Sequence, residues 1–203
     1  MTGAALRPVL LAAGRSTRFQ DGFKLLEPVA GEPVVVRSLR ALFEAGLGRP
    51  LVVTGSRAAD VTDALKAAFG DVFDAVPNPR FAEGMATSIA VAARAVPDGS
   101  PLLLALADMP LVGAALHAAV ARALDPDDPG CVARARSDSQ PGHPVAFGSG
   151  WLPELRLLEG DRGAAPLLKG HPVRWVEVDP ATQIDVDTRE ALDRANAIAA
   201  ASG

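Results

Sequence analysis

PVLLAAGRSTRFQDGFKLL, residues 8–26, opens with an apolar run from Val9 to Leu11 that is too short for a helix and ends in a turn signal. Such a run reads as a buried strand. Leu11 leads into Ala12, Ala13 and Gly14, a loop of small side chains that lets backbone approach a ligand closely, and Gly14 has access to φ values that other residues resist. Successive exposed N–H groups in such a loop, continuing through Arg15, Ser16 and Thr17, form an anion-binding concavity. Arg15, Arg18 and Lys24 surround it with positive charge. These residue types suit a triphosphate cradle, and equally a surface turn with two solvated arginines. Neither of the commonest nucleotide motifs is present: Phe19 stands at the second glycine of a P-loop, and Ser16 at the second glycine of the dinucleotide fingerprint.

Downstream, apolar periodicity and turn residues alternate. The spacing predicts a helix over Val34–Ala45 stopped by Gly46, a strand over Leu51–Thr54, a helix over Ala58–Phe69 and a strand over Val72–Val76. That rhythm implies a parallel sheet covered by helices. Asn78-Pro79 marks a turn, and Gly84–Ala95 a helix whose N-terminus faces the same end of the sheet as the first loop. Its Thr87 and Ser88 have a simpler role as helix caps. Residues 102–107 are continuously apolar, as a central strand buried on both faces requires. Asp108 follows at the carboxyl end of that strand, where open α/β sheets bind ligands. It is placed either to hold Mg²⁺, which takes oxygen ligands and bridges to phosphates, or to cap the next helix; its nearness to the glycine loop favours the metal.

Further on, the pattern predicts a helix over Ala114–Leu124, a strand over Val132–Ala135, a polar connection over Ser137–Gly142 and a strand over His143–Phe147. Short helices at Trp151–Leu158 and Ala164–Leu168, a strand at Val173–Val178 and a helix over Arg189–Ala200 complete the chain. Asp185 and Asp187, two apart on an extended segment, point the same way; they either help hold a cation or cap the last helix with Thr188. No repeat or long linker divides the chain, so residues 1–203 read as one domain.

The 203 residues are 49% hydrophobic and carry a formal net charge of −4, which argues against coating nucleic acid but not against one anion in a locally basic pocket. Aromatic residues are 4%, too few for a base-stacking platform. The single cysteine, Cys131, allows no internal disulfide and no structural zinc site, and reads as a small buried hydrophobe. The apolar run before Gly14 is too short for a signal-peptide core or a membrane span, and cytoplasm is the expected location.

Taken together, LAAGRSTRF…KLL at 11–26, NPRFAEGMATSI at 78–89, LLALADMPLV at 103–112, GHPVAFG at 142–148, GDRGA at 160–164 and DVDT at 185–188 resemble the MobA-like nucleotidyltransferases, in particular the molybdenum cofactor cytidylyltransferase type. The resemblance implies a three-layer α/β/α, Rossmann-like fold with a mostly parallel sheet. It implies transfer of a nucleoside monophosphate from an NTP to a phosphorylated acceptor, with Mg²⁺ and release of pyrophosphate. It places the NTP on Leu11, Ala12, Ala13, Gly14, Arg15 and Ser16, with Gly84, Met85 and Ser88 on the nucleotide side. Arg18, Lys24 and Asp108 become the catalytic set, Asp108 and Asp187 the metal ligands, and His143 and Asp161 the acceptor-facing residues. LAAG at 11–14, where guanylyl enzymes tend to read LAGG, leans towards CTP. Molybdenum-loaded molybdopterin as acceptor, and a molybdoenzyme or its chaperone as partner, follow from the resemblance alone. Two positions depart from the family pattern: Gln20, where a glycine is usual, and Ala165, where an arginine is more common.

Overall fold

The alternation of strands and helices is realised as a seven-stranded sheet in a computed structural model that describes residues 4–16, 19 and 22–201. In chain order the elements are β1 (Arg7–Ala12), the short strands β2 (Pro28–Val29) and β3 (Glu32–Pro33), α1 (Val34–Glu44), β4 (Leu51–Thr54), α2 (Ala58–Phe69), β5 (Asp74–Pro77), α3 (Met85–Ala95), β6 (Leu102–Leu106), α4 (Ala114–Ala123), β7 (Val132–Ser137), β8 (Gln140–Phe147), α5 (Leu152–Arg156), β9 (Arg174–Glu177) and α6 (Arg189–Ala201). The large sheet runs β5-β4-β1-β6-β8-β7-β9. β5, β4, β1 and β6 are parallel, β8 is antiparallel to both its neighbours, and β7 pairs parallel with β9.

Strand alternation sorts the apolar residues into two layers. Leu10, Val52, Leu103 and Ala105 face α1, α2, α4 and α6, whose contributions include Val35, Leu39, Leu65, Val120 and Leu192. Val9, Leu11, Val53, Leu102 and Leu104 face Ile89 and Ala93 of α3 and Leu152 and Leu155 of α5. The central strands are buried on both sides because helices cover both, which gives the three-layer α/β/α arrangement. Truncating one of the fully buried leucines to alanine removes about 2–5 kcal/mol.

Three elements differ from expectation. The strand predicted from Val72 begins at Asp74; Val72 is exposed, and Asp74 is fixed at the strand start by Arg7 and Arg49. Residues 164–168 form a short 3-10 turn over Ala165–Leu168. The polar run at 137–142 is not a connection: β7 continues to Ser137 and β8 starts at Gln140, joined by Asp138 and Ser139 at φ values of 47° and 64°. Two consecutive left-handed residues make the tight turn whose twist suits a hairpin, a turn usually flagged by Asn-Gly. Here Asp-Ser performs it.

His117 lies inside α4 and is 2% exposed, with Nδ1 donating to Gly113 O at 3.0 Å. Burial pushes its pKa down to about 4. The folded chain therefore holds this imidazole neutral, while the unfolded chain protonates it below its ordinary value. Its contribution is present above that value and is lost as pH falls from about 6.5 towards 4, by up to about 3 kcal/mol. Urea unfolding of His117→Gln across this range should show a shallower pH dependence than the parent; parallel curves would refute the assignment.

Candidate functional site

The carboxyl ends of β1 and β6 open into a cleft of about 240 Å³. Its lining brings together Leu11, Ala13, Gly14 and Arg15 from the first loop, Gly84, Met85 and Ser88 from the start of α3, and Asp108 beyond β6. Phe81, Ala82 and Leu106 also line it, and none of these was singled out from the sequence. Ala12 is buried beneath the loop. Ser16 adopts φ 53°, and its Oγ is buried with no hydrogen-bond partner among the described residues. Arg18, with Thr17, Gln20 and Asp21, lies outside the described residues.

Close backbone approach shapes this cleft. A Cβ on Gly55 would come within 2.7 Å of Ala13 O and of Phe81 Cβ, so only glycine lets the end of β4 lie against the loop. Gly84, at φ 126°, packs against the backbone of Gly160 and Asp161, and Ala86 N donates to Gly160 O at 3.1 Å. Thr87 and Ser88 do not cap α3, which starts after Gly84 without a side-chain cap. Asn78 is 2% exposed and its Nδ2 donates to Thr87 Oγ1 at 2.8 Å and Ser88 Oγ at 2.9 Å. Read in sequence only as a turn residue, Asn78 fixes the connection from β5 to α3.

Below the loop, three carboxylates converge. Asp108, Asp185 and Asp187 each offer an oxygen within 4.8 Å of the others. Asp108 is anchored by its own carbonyl, which accepts from Val186 N at 2.9 Å and draws the 185–187 segment alongside. Thr188 Oγ1 accepts from Ala191 N at 3.2 Å and so caps α6, releasing Asp187 towards the cluster. The capping role in DVDT thus falls to Thr188, while Asp185 and Asp187 face Asp108.

The Lys24 ammonium sits among these carboxylates, 2.5 Å from Asp108 Oδ2, hydrogen-bonded to Asp187, and 3.7 Å from Asp185 Oδ1. Its Cε lies 4.0 Å from where a Cβ on Gly14 would be, so the side chain passes directly under the loop. Burial works against its charge, but Asp108's charge and hydrogen bond, with Asp187's, outweigh it and raise the pKa above the ordinary lysine value. Asp185 shows the opposite balance: burial and the neighbouring Asp108 charge push its carboxyl up. Oxygen donors converging around a position now taken by an ammonium are a donor set for a hard divalent cation.

His143 lies on the far side, on β8. Its main chain is held twice by Gln183, from N to Oε1 at 2.9 Å and from Nε2 to O at 3.0 Å. Its Nδ1 is buried without a partner among the described residues, and burial with the nearby Arg134 pushes its pKa down to about 4. Asp161 is exposed, with its backbone against Gly84. Its neighbour Arg162 lines the space beside His143, which sequence reasoning did not find.

A small-residue loop, a helix start and a carboxylate cluster at one end of a largely parallel sheet define a nucleotide-handling α/β protein. The chain belongs to the MobA-like NTP transferase family, whose domain model matches residues 8–176. It is 34% identical over 157 residues, 76% of its length, to a bifunctional protein GlmU of Sphingopyxis alaskensis, and spans about a third of that relative. Among solved structures it superposes on a nucleotidyl transferase from Methanothermobacter thermautotroptrophicus with TM-score 0.86 at 26% identity, covering 99% of this chain and 100% of that one. It also superposes on Rv0371c of Mycobacterium tuberculosis H37Rv in complex with manganese, with TM-score 0.79 at 29% identity, covering 96% and 99%. Among the described residues no helix is long and apolar enough to cross a membrane.

Proposed function

We propose that residues 1–203, acting as one domain, transfer a nucleoside monophosphate from an NTP, with CTP preferred, to a phosphorylated acceptor, molybdenum-loaded molybdopterin, and release pyrophosphate. The observation that carries this reading is the convergence of Asp108, Asp185 and Asp187 at the foot of a cleft walled by the glycine loop and the start of α3. That a 29% identical protein of the same fold was solved in complex with manganese supports the use of a divalent cation, Mg²⁺ in this reading. Asp108 and Asp187, with Asp185, would hold it, and when bound it supplies charge neutralisation for the phosphates.

The chain's own residues supply the rest. Backbone N–H groups from Ala12 to Ser16 cradle the triphosphate, with Arg18 and Lys24 as countercharges, while Gly84, Met85 and Ser88 border the nucleoside. Acceptor phosphates are nucleophilic at neutral pH, so positioning and charge neutralisation dominate the reaction. An acceptor phosphate oxygen forms a bond to the α-phosphorus as the bond from that phosphorus to the bridging oxygen of pyrophosphate breaks, and pyrophosphate leaves with the electron pair. Neither a serine nor a thiol nucleophile is required.

Pyrophosphate release from each of the four NTPs with Mg²⁺, with and without molybdenum-loaded molybdopterin, tests the proposal. Acceptor-dependent release with CTP is expected. Release with GTP would move the chain to guanylyl transfer, and release only with a sugar or polyol phosphate would replace the acceptor. Nucleotide binding without turnover on any acceptor would favour an accessory protein.

A further inference from the structure

The loop after β1 and the carboxylate segment 185–187 come from opposite ends of the chain, and Arg189 bridges them from the first position of α6. Its backbone is fixed by the segment that presents the carboxylates: Val186 N donates to Asp108 O, and Thr188 Oγ1 accepts from Ala191 N. Its side chain reaches the other end. The guanidinium carbon sits 4.6 Å from the ring centroid of Phe19, and Nη1 donates to Glu27 Oε2 at 2.7 Å. Phe19 is buried, and its N–H donates to Ser16 O at 3.1 Å, closing the turn in which Ser16 takes its left-handed conformation. Glu27 follows the 3-10 turn Lys24–Leu26, and its own N–H donates to Lys24 O at 3.4 Å. One guanidinium therefore meets both the residue that closes the phosphate loop and the residue that ends the turn carrying Lys24.

Gly22 makes room for this pair. It adopts φ 153°, and a Cβ there would come within 2.4 Å of Glu27 Oε1 and 3.2 Å of Arg189 Nη2, so any side chain would displace both groups. Gly22 stands two positions after Gln20, the place where glycine is usual in the family pattern. The pair itself does little for the fold: the Arg189 side chain is 43% exposed, and an ion pair so open to water adds little stability. α6 has a second hold on the same stretch of chain. Asn196, seven residues on, donates from Nδ2 to Pro28 O at 3.1 Å and accepts at Oδ1 from Ala30 N at 2.9 Å. With the helix docked in that way, the Arg189 contacts are left to set the loop and Lys24 against the carboxylates.

Resting on the transferase reading above, we infer that Arg189 is a positioning residue: with Glu27 and Phe19 it locks the phosphate loop against the carboxylate segment, so that filling the metal position steadies the loop for the triphosphate. The two sites are then linked through one side chain, and each ligand favours the other. Arg189 acts through Phe19 and Glu27 rather than on the phosphates.

CTP affinity with Mn²⁺, measured by calorimetry on the full chain, is expected to weaken about tenfold in Arg189→Gln and about equally in Glu27→Gln, with no further loss in the double variant. Glu27→Gln discriminates by sign: removing a carboxylate beside an anion site tightens binding by charge alone, so weaker binding requires positioning. Arg189→Lys, which keeps a cation within reach of Phe19 and Glu27, is expected to recover most of the loss. Tm should move by about 2 °C or less in these variants. Asn196→Ala is the structural comparison, expected to lower Tm further and leave CTP affinity unchanged. Mn²⁺ alone is expected to slow amide hydrogen exchange across residues 12–19 in the parent chain and not in Arg189→Gln. Unchanged CTP affinity in Arg189→Gln, tighter binding in Glu27→Gln, an equal loss in Asn196→Ala, or a loop whose exchange responds to Mn²⁺ in the same way with and without Arg189 would overturn the inference. A parent chain that binds no NTP yet shows the Arg189-dependent protection would sink the transferase reading and leave the lock standing.

Discussion

Asp108→Asn is expected to lower turnover by about a thousandfold or more while the chain still folds. The side chain is 20% exposed and touches both things the reaction needs, the Lys24 ammonium and the shared carboxylate position. Asparagine keeps an oxygen and nearly the same shape but brings no charge. The Asp108 backbone bonds that hold the 185–187 segment remain, because Val186 N donates to the main-chain carbonyl. Loss of the Lys24 pairing is offset in part, since one of three mutually repelling carboxylates is gone and Asp185 no longer has that charge beside it. The result is a nearly neutral change in stability with a large change in rate. Mn²⁺ binding, followed by the loss of its free-ion paramagnetic resonance signal, should weaken in parallel with turnover. Unaltered turnover in a variant whose Mn²⁺ affinity has dropped would remove Asp108 from the chemistry.

Sequence pattern carries the left half of the molecule well and the right half less so, for physical reasons. β1, β4 and β6 are continuous apolar runs because helices cover both faces, and α1, α2 and α4 punctuate them with clear stops. Their carboxyl ends must share one edge, so the loop at 12–16, the start of α3 and Asp108 could be brought together by topology alone. The β7–β8 hairpin reads in the sequence as a polar connection because its turn uses Asp138 and Ser139 where glycine or asparagine is the signal. With the start of β8 hidden in a polar run, the pattern gives no sign of the antiparallel pairing on this side of the sheet, and Arg134 falls outside every motif. Gly55 and Asn78 escaped for another reason: their roles are close approaches to segments far away in the chain, which spacing does not encode. Lys24 was legible as a cation near the loop, but its position among three carboxylates depends on how residues 184–188 pass Asp108.

That position makes Lys24→Met the most informative substitution. The ammonium is 5% exposed and joins Asp108 and Asp187, with Asp185 close by. Methionine keeps the volume and removes the charge, leaving converging carboxylates with no internal cation. Breaking a buried ion pair from one side costs about 3–5 kcal/mol, with the lower end expected because Asp185 is half open to solvent. For a chain of this length about 3 kcal/mol corresponds to a fall in Tm of roughly 10 °C in EDTA. Mn²⁺ should then recover most of the loss. In the parent chain the ammonium competes with a divalent cation for the same oxygens; in the variant it does not, so Mn²⁺ binds more tightly and stabilises by mass action, about 2.7 kcal/mol at a hundredfold excess over Kd. Turnover should nonetheless fall, since the countercharge under the phosphate loop is gone. Tighter Mn²⁺ binding together with lost turnover is the signature of a lysine that holds the cation's place and then serves the phosphates. A Tm unchanged in EDTA, or Mn²⁺ stabilising parent and variant equally, would show that the ammonium and the metal do not share these carboxylates.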